Sequence, residues 1–256
     1  MTWLLLSDAP ARGPWNMALD EALLETAGTD GLCALRLYAW DPPTLSFGRH
    51  EPALRRYDRD AIARRGLATV RRPTGGRAVW HHREVTYAVA APNDTFGALR
   101  DTYLEIHMML ADALRRLGAS VVLAGERPAL AVGAGACFAA AAGGEVMSTG
   151  GRKVVGSAQV RSGGAFLQHG SILLAAEQDV VAGVTRGAAE PPSATGVADI
   201  VAPGRATWDA VSAAVAEAAA ARWGVGPAPD SLPDAVRRRA EARVARFEDE
   251  RWTWRR

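Results

Sequence analysis

The sequence predicts an α+β fold, a mixed and largely antiparallel β-sheet with flanking helices, on three observations. Strand-like and helix-like segments interleave irregularly, without the regular alternation that builds a doubly wound parallel sheet. Three β-type segments follow one another between residues 67 and 91, separated only by short turns, and another pair follows between residues 154 and 174. At 256 residues the chain can bury a full core as one domain, 1–256, with C-terminal helices at about 207–256. It contains no internal repeat.

Trp3 to Leu6 reads as a short strand, followed by a Pro/Gly turn from Pro10 to Pro14. Asn16 is placed to cap a helix to about Ala27, with Asp20 and Glu21 in its early turns and Met17, Leu19, Leu23 and Leu24 on its apolar side. Leu35 to Trp40 and Thr44 to Phe47 are strands around the turn Asp41-Pro42-Pro43, and Tyr57 to Arg65 is a helix stopped by Gly66. Leu67 to Arg72, Ala78 to His81 and Val85 to Ala91 are β-type, the first two joined by Pro73 to Arg77. Thr95 to Leu117 is an amphipathic helix, with Leu104, Met108, Ala111 and Leu114 at helical spacing and Gly118 after its end. Val121 to Leu123 is a strand, and the Ala/Gly-rich residues up to Gly151 carry no pattern. Val154 to Gln159 and Phe166 to Leu174 pair around Arg161 to Gly164. Residues 183–206 form a long loop of the kind that serves as a lid. Thr207 caps a helix to Trp223, and Ser231-Leu-Pro-Asp234 resembles a capping box for a last helix into Phe247.

Thirty basic against 28 acidic residues give a net charge of +2, too small for a dedicated nucleic-acid binder. No window approaches the roughly 18 apolar residues that span a bilayer, and Met1-Thr-Trp-Leu-Leu-Leu is too short for a secretory signal. With Cys33 and Cys137 far apart, the expectation is a cytoplasmic protein with free thiols. Of the 30 basic residues, Lys153 is the only lysine. A compact ammonium that can lose its proton does what a guanidinium cannot.

Several stretches carry chemistry. In Arg71-Arg-Pro-Thr-Gly-Gly-Arg-Ala-Val79, two arginines at a strand end precede a hydroxyl and two glycines. Such a turn brings backbone N–H groups close to an anion or a carbonyl oxygen, although Gly-Gly between strands also reads as a plain hairpin turn. It matches neither the Gly-x-x-x-x-Gly-Lys-Ser/Thr nor the Gly-x-Gly-x-x-Gly nucleotide pattern. Cys137 is either a buried inert thiol or a nucleophile favoured by nearby cations, and Cys33, opening an apolar strand, reads as core. His169, at mid-strand before Gly170, is either a core histidine or one closely approached by a ligand. His81 and His82 point to opposite faces of a strand and cannot chelate one ion together. No metal site is expected, since there is no paired cysteine spacing and no His-x-x-x-His. A Ser-His-Asp hydrolase is disfavoured for want of a Gly-x-Ser-x-Gly elbow.

Taken together and in order, Arg71 to His81, Glu84-Val-Thr-Tyr87, Gly151-Arg-Lys-Val-Val-Gly-Ser-Ala-Gln159 and Leu167-Gln-His-Gly-Ser-Ile-Leu173 resemble the lipoate-protein ligase and octanoyltransferase family. Asn16 to Leu24 and Phe47-Gly-Arg49 resemble its earlier segments, Asp249 to Trp252 is a looser echo, and the likeness covers about residues 1 to 180. Arg77 stands where many of the ligases have a third glycine, and His82 where an acidic residue is common.

The resemblance implies the biotin/lipoate protein ligase catalytic-domain fold, which is class II aminoacyl-tRNA synthetase-like. There the Gly-Gly turn and the lysine strand wall a tunnel for a medium-length acyl chain. Burying eight carbons supplies roughly 5 kcal/mol at about 0.8 per methylene after allowance for imperfect fit, enough to select chain length. The segment Gly135-Ala-Cys-Phe138 is similar to the subgroup in which a cysteine takes octanoyl from acyl carrier protein as a thioester. That subgroup passes it to a lysine of a lipoyl domain of the 2-oxoacid dehydrogenase complexes, or of the glycine cleavage H protein, without a cofactor. The implied catalytic pair is Cys137 and Lys153, the lysine binding the acyl carbonyl or favouring the thiolate. The implied substrate-binding residues are Arg71, Arg72, Thr74, Gly75, Gly76, Arg77, Ala78, Val79 and His81, with Gly156, Ser157, Ala158, His169, Gly170 and Ser171. The alternative is an ATP- and Mg-dependent lipoate-protein ligase acting through lipoyl-adenylate. A third reading is a non-catalytic acyl- or lipoyl-domain-binding protein, which Arg237, Arg238, Arg239 and Arg243 would serve if they met an acidic lipoyl domain.

Overall fold

The computed structural model of the chain describes residues 2–125, 144–187, 192–227 and 231–255. Cys137, the expected nucleophile, lies outside the described residues, as do four positions of the expected lid, 188–191.

The fold is α+β, as expected. In chain order come β1 (Trp3–Ser7), α1 (Gly13–Asp30), β2 (Cys33–Tyr38), β3 (Thr44–Phe47) and the one-turn helix α2 (Ala53–Arg56). There follow α3 (Arg59–Arg64), β4 (Ala68–Arg71), β5 (Val79–His81), β6 (Glu84–Pro92), α4 (Leu99–Arg116), β7 (Val121–Leu123) and β8 (Val146–Ser148). Then come β9 (Val155–Ser162), β10 (Ala165–Leu173), α5 (Asp179–Ala182), a 3-10 turn at Val197–Asp199, α6 (Trp208–Trp223), α7 (Asp234–Glu248) and α8 (Glu250–Thr253).

The main sheet has the order β1-β2-β6-β10-β9, parallel between β1 and β2 and antiparallel elsewhere. Alternation of side chains sends Leu35, Leu37, Val85, Tyr87 and Phe166 to one face, where α4 and α6 cover them. The opposite face is built from small residues, Ala34, Ala88, Ala90 and Ala165, so α1 packs closely through Ala18 and Ala22. A second sheet, β4-β3-β5, and a hairpin-like pair, β7-β8, stand beside it.

Several local expectations change. Pro73 to Arg77 is not a hairpin turn, because β4 and β5 lie on opposite sides of β3 and the segment crosses over the end of that strand. Helix α1 begins at Gly13 with Pro14 in its first turn, so Asn16 lies inside it and its amide holds the carbonyls of Ala11 and Ala39. On α4 the buried stripe runs through Ile106, His107, Leu110 and Leu114, while Leu104 is 38% exposed. Helix α7 starts after Pro233 without a side-chain cap. Among the α7 arginines, Arg239 pairs with Asp30 and Arg243 with Glu21 and Glu25, so these two are engaged on α1. The described part of 183–206 is tied down: Ser193 and Thr195 bracket Lys153 through backbone hydrogen bonds of 2.9 and 3.0 Å.

Arg71 is fully buried and donates only to backbone carbonyls, those of Gly48 (2.6 Å) and Glu51 (2.8 Å) on one side and Trp252 (2.9 Å) and Thr253 (3.1 Å) on the other. It staples the C-terminal turn to the loop after β3. Burial first, and Arg255 second, push its pKa down to about 10, so it stays charged at neutral pH. Arg71→Lys keeps the charge but loses the planar fork that spans both segments. An expected loss of about 2–4 kcal/mol, from several charged-group hydrogen bonds in a buried site, is measurable by urea unfolding.

Candidate active site

A pocket, open at its mouth, lies between α1, the end of β2 and strands β5, β6, β9 and β10. Of the residues expected in the site, Arg72, Val79, His81, Gly156, Ser157 and Ala158 line it, as do His169, Gly170 and Ser171. Met17, Tyr38, Trp40 and Thr86 complete the wall. Arg71, Thr74, Gly75, Gly76, Arg77, Ala78 and Lys153 are not in its lining.

Many lining residues are polar, yet their donors point away from the space. Asp20, fully buried on α1, accepts from two of them, Tyr38 Oη at 2.8 Å and His169 Nδ1 at 2.7 Å, and from Arg36 Nη1 at 2.7 Å behind them. Burial alone would raise the Asp20 pKa, but the hydrogen bond from His169 and the Arg36 guanidinium outweigh it and hold the carboxyl below its ordinary value. Burial lowers the His169 pKa, so the ring is neutral, donates from Nδ1 and accepts the Thr74 hydroxyl at Nε2 (2.6 Å). A second buried carboxylate, Glu84, takes the Thr86 hydroxyl (2.5 Å), the Ser171 hydroxyl (3.0 Å) and His81 Nδ1 (2.7 Å). Trp40 donates to Thr86 (2.8 Å) and stacks on His81 at 4.1 Å between centroids. Polar side chains thus enclose an apolar space.

Arg72 organises the turn above. It donates to the Ser46 hydroxyl (2.6 Å) and to the carbonyls of Gly75 (3.0 Å) and Arg77 (2.9 Å). With those carbonyls turned to the guanidinium, the N–H groups of Gly75, Gly76 and Arg77 make no hydrogen bond among the described residues. A Cβ at Gly48 would overlap the carbonyl of Gly76, which accounts for the glycine of Phe47-Gly48-Arg49.

Lys153 and Glu145 form a buried ion pair at 2.7 Å, with the Tyr103 hydroxyl on the same carboxylate at 3.2 Å. One turn along α4, His107 is fully buried, its Nδ1 at 2.8 Å from the Tyr103 carbonyl and its Nε2 at 2.9 Å from the Ser157 hydroxyl. Burial pushes the His107 pKa down to about 4 despite the Tyr103 hydrogen bond, and Lys153 adds to the shift.

Asp20, His107 and Glu145 escaped the reading of the sequence. Signals for two of them exist: Asn16 and Asp20 sit four apart on an apolar helix, and His107 sits inside the stripe Ile106, Leu110, Leu114. Glu145 follows a patternless Ala/Gly run and had none.

The chain is similar to proteins of one known family. Residues 13–211 match the lipoyl protein ligase A/B catalytic domain. The chain is 46% identical over 184 residues to the octanoyltransferase LipM of Moorella thermoacetica, covering 70% of this chain and 67% of that protein. It is 40% identical over 195 residues to that of Kyrpidia tusciae, covering 72% and 70%. A lipoate-protein ligase A bound with ATP shares the fold at TM-score 0.83 and 20% identity over 99% of each chain. The bipartite lipoate protein ligase of Thermoplasma acidophilum does so at TM-score 0.80 and 20% identity, over 99% of this chain and 96% of that one. At such identity these two structures speak to the fold alone.

The His107 shift makes stability depend on pH. The unfolded chain protonates this ring near its ordinary pKa of about 6.5, the folded protein only near 4, so between those values the unfolded state binds more protons. Stability falls as pH drops through the window, by about 3 kcal/mol from this group. Chemical denaturation of wild type and His107→Gln at pH 7 and pH 4 is expected to give a difference between the two proteins that shrinks at the lower pH.

Proposed function

Because the chain belongs to the lipoyl protein ligase A/B catalytic domain family, we propose that it is an octanoyltransferase of lipoate biosynthesis. It moves an octanoyl group from acyl carrier protein to a lysine of a lipoyl domain, or of the glycine cleavage H protein, and needs no ATP. The observation that carries this reading is the cavity. Its lining hydroxyls, imidazoles and indole N–H are taken up by Asp20, Glu84, Thr74, Thr86 and Ser46, so a chain without polar atoms enters without stranding a donor.

In the first half-reaction the Cys137 thiolate attacks the octanoyl thioester carbonyl, a new C–S bond forms, the bond to the carrier sulfur breaks, and the carrier leaves as a thiolate that takes up the proton Cys137 gave up. In the second, the acceptor lysine amine attacks, the amide forms, and the amine proton ends on the released Cys137 thiol. Thioester exchange is close to isoenergetic and aminolysis is downhill, so no activating nucleotide enters. Lys153, fixed by Glu145 and by the backbone on either side, presents the positive charge that holds the acyl carbonyl as it becomes an oxyanion. The N–H groups of Gly75, Gly76 and Arg77, which have no partner among the described residues, are further donors for the same oxygen. No described helix is long and apolar enough to cross a membrane, consistent with a cytoplasmic site of action.

Octanoyl-acyl carrier protein incubated with the enzyme in the absence of ATP is expected to leave a hydroxylamine-labile octanoyl adduct, seen by intact mass. Cys137→Ala abolishes it. An adduct that persists in that variant contradicts the nucleophile, and modification of a lipoyl domain only when ATP and free acid are supplied favours the ligase. Lys153→Arg is expected to lower transfer about 10²–10³-fold, the cost of removing one oxyanion donor, with the fold intact by circular dichroism.

A further inference from the structure

Arg49 closes the motif Phe47-Gly48-Arg49, yet its side chain takes no part in the acyl pocket. It lines a second cleft instead, bounded by α1, α7, Pro73 and the far end of β9. Three segments lead from one space into the other. On β9, Ala158 lines the pocket, and Val160, two residues on and on the same face, lines the cleft about 7 Å away. On α1, Met17 in the pocket and Glu21 in the cleft are one turn apart, about 6 Å. In the segment after β4, Arg72 lines the pocket and its neighbour Pro73 the cleft. Of the residues lining the pocket, only Ser157, Ala158 and Gly170 are not buried, so its mouth lies at the edge strand β9, beside the cleft.

The cleft holds positive charge that the described residues leave unmatched. Glu21 takes Arg246 and Arg243, and Glu25 takes Arg243 and Arg239. Arg49 and Arg255 have no carboxylate within ion-pair distance among the described residues, and the Arg49 guanidinium makes no hydrogen bond among them. Arg255 donates to the Arg49 carbonyl and stands over the Trp252 ring at 4.3 Å, with Arg246 over the same ring at 4.9 Å. Burial first, and then the charges of Arg49 and Arg246, push the Arg255 pKa down. Three guanidiniums are therefore held within electrostatic reach of one another, and a carboxylate meets only one of them. An anion among them relieves that repulsion, and the guanidinium fork matches the oxygens of a phosphate.

Along β9 the order is Lys153 just before the strand, the mouth at Ser157 and Ala158, then the cleft at Val160 and Ser162. A thioester with its chain in the pocket and its carbonyl at Lys153 sends the rest of its arm toward the cleft. We propose that Arg49 and Arg255, with Arg246 beside them, bind the phosphodiester of the phosphopantetheine arm on which the acyl group arrives. This rests on acyl carrier protein as the donor, and it gives the arginine of Phe47-Gly48-Arg49 a task in donor binding.

The test is binding rather than turnover. S-Octyl pantetheine and its 4′-methylphosphate, a diester like that of the carrier, differ only in the phosphate, and as thioethers they offer no carbonyl to attack. Calorimetric titration of the wild-type protein at about 0.1 M salt is expected to show the phosphodiester bound about ten-fold more tightly, the scale of charge-assisted hydrogen bonds at a part-exposed site. Salt at about 1 M, or the double substitution Arg49→Gln and Arg255→Gln, should bring the two compounds within about two-fold. A loss of folding quality lowers both affinities together, so their ratio reports the phosphate contact. Equal affinities in wild type at low salt, or a preference unchanged in the double variant, would overturn the proposal. ATP bound by wild type and not by the double variant would give the site to a nucleotide and overturn its assignment to the arm. Failure of both thioethers to bind would overturn the acyl pocket and this proposal together. An Arg49-dependent preference in a protein that transfers no octanoyl group would leave the phosphate site standing and remove the transferase.

Discussion

The Asp20 carboxylate is the constraint on which the rest of the site depends. An ionised carboxylate with no solvent contact is costly unless it is paired and fully hydrogen-bonded, and Arg36, Tyr38 and His169 meet that demand from two strands of the sheet. Because Asp20 rides on α1, this requirement fixes the helix against β2 and β10. The alanine-rich face that lets α1 approach so closely is the packing counterpart of the same arrangement. His169, once oriented by Asp20, takes the Thr74 hydroxyl and so pins the start of the Gly-Gly turn. One buried charge thereby connects the core to the turn over the cavity.

The three buried histidines share one frame. Each ring has Nδ1 facing an oxygen, of Asp20, Glu84 or the Tyr103 carbonyl, and Nε2 facing a hydroxyl, of Thr74, Ser46 or Ser157. Rings held this way fix the direction of neighbouring hydroxyls. A space lined by serine, threonine, tyrosine and histidine then behaves toward an alkyl chain as though it were apolar. Lys153 belongs to a separate part of the same device, joined to His107 through Glu145 and Tyr103 on a single turn of α4.

Much of this was legible in the sequence where chemistry and period coincide. Alternation around Phe166 to Leu174 foretold β10, and the ordered motifs singled out Arg72, Ser157, His169 and Gly170 before any geometry was known. The lone lysine stood out in the sequence, but its partner did not: Glu145 sits after an Ala/Gly run that has no periodicity to read. His107 was missed although it sits three residues after Leu104 and four before Ala111, because the stripe was read from its apolar residues alone. The path of Pro73 to Arg77 over β3 was invisible for a different reason. Strand order is a long-range property, and a Gly-Gly turn between two β segments has the same local pattern whether the strands pair or flank a third. Arg71 shows the same limit, since Trp252 and Thr253, two of the residues whose carbonyls it holds, lie 181 and 182 residues away.

The central claim is that His107 and His169, as neutral rings protonated at Nδ1, fix the sense of the hydroxyls beside them. Nitrogen-15 chemical shifts and one-bond N–H couplings of the imidazoles, assigned with single histidine variants, measure this directly. The account predicts that both rings carry their proton on Nδ1 and a bare Nε2 at pH 8, and that His107 stays neutral down to pH 6. Proton on Nε2 of either ring at pH 8, or an imidazolium at His107 above pH 6, would contradict it.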